Sequence, residues 1–103
     1  MFPVEAVQAA VRGNRLLVRT HARQRMVERG VTLNDVRHIL LSGDLIEEYP
    51  GASPFPKALF MGFVGKGEPL YISCAFDGEQ AYVVTVHWYD PERWTDPWTR
   101  RRP

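Results

Sequence analysis

The stretch Thr32–Tyr49, TLNDVRHILLSGDLIEEY, decides the fold, because the spacing of its apolar residues changes partway along it. Leu33, Val36, Leu40 and Leu41 recur at helical intervals and give one buried stripe. Thr32 and Asp35 stand three residues apart, the spacing of a capping box, with Asp a weaker partner than Glu. Gly43 closes this helix, and Asp44–Tyr49 reads as a strand. Helical patterns dominate the chain before Gly43, and alternating ones follow it.

Upstream lies Thr20–Val31, THARQRMVERGV, a second helix with Thr20 as N-cap and Gly30 just past its end. His21, Arg25 and Arg29 recur every four residues, so an imidazole and two guanidinium groups stack along one face. Each step of four overshoots a full turn by roughly 40°. The row therefore drifts from the polar side at His21 to the apolar edge, beside Ala22 and Met26, at Arg29. Arg29 is expected to cover its stem and send its head to a carboxylate or a carbonyl. Leu16-Leu17-Val18 reads as a short extended lead into Thr20. Pro3–Arg12 reads as an amphipathic helix with Val4, Val7, Ala10 and Val11 on its apolar side, ended by Gly13-Asn14.

Downstream, Lys57–Val64, Leu70–Phe76 and Gln80–Tyr89 read as three more strands with short connections. The expected fold is α+β: N-terminal helices packed on one face of a four-stranded antiparallel sheet. Leu70, Ile72, Cys74 and Phe76 share one face of their strand; Tyr82, Val84, Val86 and Trp88 share one face of the next. Both sets line the core if the intervening loop, Asp77-Gly78-Glu79, has an odd number of residues. The opposite face is then expected to carry Tyr71 and Ser73 beside Val83, Thr85, His87 and Tyr89. Residues 1–94 form the expected domain, with Trp94 docked on it. Residues 95–103 lack a periodic pattern and read as a basic tail, mobile or held by a partner.

The 103 residues suffice for one domain with a modest core. Cys74 is the only cysteine, which rules out an internal disulfide and fits a reducing, cytoplasmic setting. The first residues lack a signal-peptide pattern, and no apolar run has membrane-spanning length, so no membrane partner is expected. Net charge is only +1, yet seven arginines and two acids lie between Arg12 and Arg37.

His21, His38 and His87 lie far apart and Cys74 sits among apolar residues, so neither a metal nor a cofactor is called for. Gly62, Gly65 and Gly67 lack the residues of a phosphate-cradling loop. Arg25–Leu41 imitates a helix-turn-helix offering Asn34, Arg37 and His38, but that reading leaves the sheet idle. The basic row and the polar end of the last strand remain. RNA cleavage without a metal needs a base for the 2′-hydroxyl, an acid for the leaving oxygen and cations for the phosphate. Histidine suits either proton role, arginine the phosphate, and tyrosine a hydrogen bond or a stacked base. The expected catalytic residues are His21, Arg25 and His87, and the expected substrate-binding residues are Arg29, Thr85 and Tyr89. The alternative is a non-catalytic protein- or nucleic-acid-binding domain that docks an acidic partner on the His21/Arg25/Arg29 helix face.

His21-Ala22, Arg25-Met26, Glu28-Arg29-Gly30-Val31, Gly43-Asp44, Ile46-Glu47, Tyr49-Pro50, Val84-Thr85-Val86, Asp90-Pro91 and Trp94 together resemble the family called domain of unknown function 4258. The resemblance runs from about Leu16 to Trp94. It implies a fold similar to RelE and barnase-like toxin ribonucleases, and a toxin of a toxin–antitoxin pair. Its implied partners are RNA, including ribosome-bound mRNA, and a small antitoxin protein. Its implied site positions are His21, Arg25, Arg29 and Thr85.

Overall fold

The computed structural model describes residues 1–102. Three helices, α1 (Val4–Arg12), α2 (Thr20–Arg29) and α3 (Leu33–Ser42), accompany a sheet built of β1 (Leu16–Val18), β2 (Asp44–Tyr49), β3 (Lys57–Val64), β4 (Glu68–Phe76) and β5 (Ala81–Trp88). The class is α+β, but the sheet is five-stranded and mixed rather than four-stranded and antiparallel. Its order is β1-β5-β4-β3-β2, with β1 parallel to β5 and the other neighbours antiparallel. The short apolar run Leu16–Val18, expected only to be extended, is thus an edge strand whose backbone pairs with Ala81–Val83.

Local chemistry sets the helix ends. Gly30 takes φ 67°, the left-handed conformation that costs a glycine least, and ends α2. Arg19, not Thr20, occupies the N-cap of α2. The Thr32–Asp35 capping box forms at 3.0 Å in both directions. Gly43 is required by contact, since a Cβ there would lie 2.6 Å from the Ile39 carbonyl and 2.7 Å from that of Met61. Leu33, expected in the stripe of α3, is exposed; Val36, Ile39 and Leu40 are the residues this helix buries.

The main core lies between the helices and one sheet face, where Val7, Ala22, Val36 and Ile39 gather with Ile72, Cys74, Val83 and Val86. The set on β5 differs from the expected one. Phe76 pairs with Ala81, so the connecting loop Asp77–Gln80 has an even number of residues. Asp77 holds it by accepting from the Glu79 and Gln80 amides at 2.8 and 2.7 Å. A bulge between the Cys74–Val83 and Ser73–Thr85 pairs then inserts Val84 and reverses the alternation. Ala81 and Val83 before the bulge, with Val86 and Trp88 after it, face the helices; Val83, expected on the opposite face, is thus in the core, and Tyr82 is not.

A second, smaller cluster forms on the other face from Leu59, Met61, Tyr71 and Trp94. Trp94 is fully buried, as a docked aromatic should be. The residues after it are not a loose tail. Trp94–Asp96 (β6) pairs with Thr99–Arg100 (β7), and this hairpin lies over the second cluster. Trp98 donates from Nε1 to Asp44 at 3.0 Å, and Arg100 makes two 2.8 Å bonds to the Glu47 carboxylate. The hairpin therefore crosses the boundary expected after Trp94, while Pro103 lies outside the described residues. No described helix is long and apolar enough to cross a membrane.

Candidate functional site

β1 stops at Val18, opposite Val83, and leaves the second half of β5 without a strand on that side. α2 takes its place. The Arg19 amide reaches the Val83 carbonyl at 3.5 Å, and the Arg29 guanidinium donates to the Val86 carbonyl. Trp88 returns a bond from Nε1 to the Arg29 carbonyl at 2.8 Å. The helix thus runs alongside the strand in the same direction. Its basic row follows the sheet edge, with His21 near the start and Arg29 beside His87.

A cleft of about 590 Å³ opens along this seam. α2 contributes His21, Arg25 and Arg29, and β5 contributes Thr85, His87 and Trp88. The far wall comes from Asp90, Arg93, Trp94 and Arg100. Five of the six expected site residues therefore share one cleft. Tyr89 is the exception: it packs beside the second cluster, and its hydroxyl donates to the Trp94 carbonyl at 3.3 Å.

The cleft is cationic, with four arginines lining it against one carboxylate, Asp90. Arg25 is half-buried and bonds to Glu28 at 3.1 and 3.2 Å. Arg93 approaches Asp90 at 3.6 Å, and Arg100 is held by Glu47. Arg29 is satisfied by a neutral carbonyl, so its charge is left for a ligand. The Arg100 bond holds the Glu47 carboxyl below its usual range, while Glu47 raises Arg100.

His87 sits in a stack. Its ring lies 4.9 Å from that of Tyr71 and 5° from parallel. Tyr71 stacks on Trp94 at 4.5 Å, and the Arg100 guanidinium covers Trp94 at 4.5 Å. Burial in this stack, followed by the charges of Arg29, Arg100 and Arg93, pushes the His87 pKa down to about 4. The imidazole is therefore neutral near pH 7. Burial likewise pushes the Tyr71 hydroxyl up to about 12, and it donates to the Pro97 carbonyl at 2.7 Å.

Sequence reasoning missed the far wall. Arg93 and Arg100 carry no motif, and Arg100 reaches the site only because the hairpin folds back. Elsewhere, Arg37 donates to the Val11 carbonyl at 2.9 Å, so the side chain that a helix-turn-helix would offer to bases closes α1 instead. Cys74 is fully buried, with a thiol pKa pushed up to about 12 by burial. Among the described residues, no three His, Cys, Asp or Glu side chains stand close enough together to hold a metal ion.

No curated protein and no solved structure matches the chain. The family model described as domain of unknown function (DUF4258) matches residues 18–88, from the end of β1 through the whole of β5. That span holds α2, Thr85 and His87, and leaves α1 and the far wall of the cleft outside it. The chain belongs to the DUF4258 family.

Proposed function

We propose that the protein is a metal-independent endoribonuclease that cleaves RNA by attack of the 2′-hydroxyl on the adjacent phosphate. The observation that carries this reading is the meeting of His21, Arg25, Arg29, Thr85 and His87 in one cationic cleft. The phosphate binds between Arg25 and Arg29, whose guanidinium groups stabilise the charge that grows on its oxygens. His87, neutral because it is buried among cations, accepts the 2′-hydroxyl proton. The anionic substrate offsets the charges that lower its pKa, so the base strengthens as substrate binds. The 2′-oxygen forms a bond to phosphorus as the bond to the 5′-oxygen breaks, and His21 protonates that leaving oxygen. Thr85 hydrogen-bonds the strand. Tyr89 acts at one remove, through Trp94.

In this reading the molecule is a cytoplasmic toxin similar in kind to the RelE and barnase-like ribonucleases. Its partner is a small acidic antitoxin that fills the cleft. The excess of cations also fits a second reading, a non-catalytic domain that docks an acidic protein on the α2 face.

Product chemistry separates the two. Purified protein is incubated with single-stranded RNA and with translating ribosomes, with and without chelator. The proposal expects fragments ending in 2′,3′-cyclic phosphate or 3′-phosphate at a chelator-independent rate. Intact RNA in both assays leaves the docking reading.

A further inference from the structure

Next to the cleft lies a second hollow of about 620 Å³, lined by Leu17, Val18, Arg19, Thr20, His21 and Tyr82. His21 belongs to both rims, so the two spaces adjoin. Their chemistry differs: the first is an arginine cleft, and the second is built around an aromatic ring.

The Tyr82 ring is held firmly. Its hydroxyl donates to Asp77 Oδ2 at 2.7 Å and lies 3.2 Å from Gln80 Oε1. Phe55 lies parallel to it, 5° away in plane angle with 6.0 Å between centroids, and the Arg19 guanidinium stands 5.0 Å from its centre. Even so, Tyr82 remains only half-buried, and Leu17 beside it is 44% exposed. The four-residue loop after Phe76 produces this arrangement, because it pairs Ala81 with Phe76 and so leaves Tyr82 off the helix-facing set.

A fixed, half-open aromatic ring with a guanidinium at its face suits a flat, electron-rich ring that is splayed out of a strand. None of the residues lining the hollow is acidic, and the nearby Asp77 carboxylate is engaged by the Tyr82 hydroxyl. We propose that it binds a nucleobase of the RNA strand, on the nucleotide next to the phosphate held by Arg25 and Arg29, packed on the exposed Arg19 guanidinium and the open part of the Tyr82 ring beneath it. The inference rests on reading the cleft as an RNA site, and it adds the position at which the enzyme grips a base. Stacking tolerates every base, so the grip fixes register more than sequence.

The test uses fluorescein-labelled 2′-O-methyl RNA hexamers, which resist cleavage because the attacking oxygen is blocked. In a companion series each position in turn is abasic, and affinities are read by anisotropy. One abasic position should weaken binding to the wild type by roughly 5- to 150-fold. Tyr82→Leu should bind the full hexamer more weakly by a similar factor and lose the distinction at that position. Tyr82→Phe, which keeps the ring, should behave as the wild type. Arg19→Ala, at an exposed position, should also reduce the distinction, which gives a second arm should Tyr82→Leu unfold. Equal wild-type affinity for all abasic hexamers, or a folded Tyr82→Leu that still discriminates, would overturn the base site. A wild type that discriminates but leaves unmodified RNA uncut, both free and on translating ribosomes, would end the ribonuclease reading and keep the base site. Failure to bind any hexamer would overturn the base site.

Discussion

The guanidinium of Arg29 donates to the backbone carbonyl of Val86, 57 residues away in sequence. That bond does two things. It satisfies a strand carbonyl where β1 has ended, and it fixes the basic row of α2 against the strand that carries Thr85 and His87. The cleft exists because a helix substitutes for a strand along half of one sheet edge.

Arg29→Ala should therefore destabilise the fold by about 1–3 kcal/mol, because the carbonyl of fully buried Val86 loses its donor. His21→Ala, at an exposed position, should cost much less. Urea melts of both variants measure the difference. Equal and negligible losses would mean that α2 docks without this bond.

Truncation after Trp94 should lower stability by about 1–2 kcal/mol, or several degrees in melting temperature. It removes Trp98, Arg100 and the Pro97 carbonyl that receives the Tyr71 hydroxyl. Arg100→Ala alone should show a smaller part of the loss, since that pair is partly exposed. Calorimetry of both decides whether the hairpin is structural. An unchanged melting temperature would mean that it is not.

His87 links stability to pH. Its folded pKa, about 4, lies below the ordinary value of 6.5. Between these values the unfolded chain binds the proton more readily than the folded one, so stability present above pH 6.5 is lost as pH falls toward 4. The slope from this group is at most about 1.4 kcal/mol per pH unit, reduced by solvent at its exposed edge. His87→Phe, which keeps a ring in the stack, should flatten the dependence between pH 4.5 and 7 in denaturant melts. An unchanged slope would mean that His87 is not held neutral.

Much of the fold was legible because periodicity reports burial directly. Helix spacing gave α1 and α3, the Thr32–Asp35 box and Gly30 gave helix ends, and alternation gave the meander. What escaped depended on partners far along the chain. A three-residue run such as Leu16–Val18 cannot announce that Ala81–Val83 will pair with it. The loop after Phe76 is one residue longer than expected, and Val84 compensates by bulging. The two departures cancel at Val86 and Trp88 but not at Tyr82 and Val84. The hairpin after Trp94 has too few residues for a period and is fixed by Glu47 and Asp44. The candidate site was legible where it follows the four-residue row of α2, and at Thr85 and His87. Arg93 and Arg100 were hidden because only tertiary folding brings them to the cleft.

In the proposed mechanism His21 and His87 exchange protons with RNA across a phosphate held by Arg25 and Arg29. The most direct measurement is the cleavage rate of wild type, His21→Ala and His87→Ala on one RNA substrate, with folding checked by circular dichroism. Each folded histidine variant should be roughly 10²–10⁴-fold slower, with Arg25→Ala also impaired. Wild-type rates in both folded histidine variants would contradict the account.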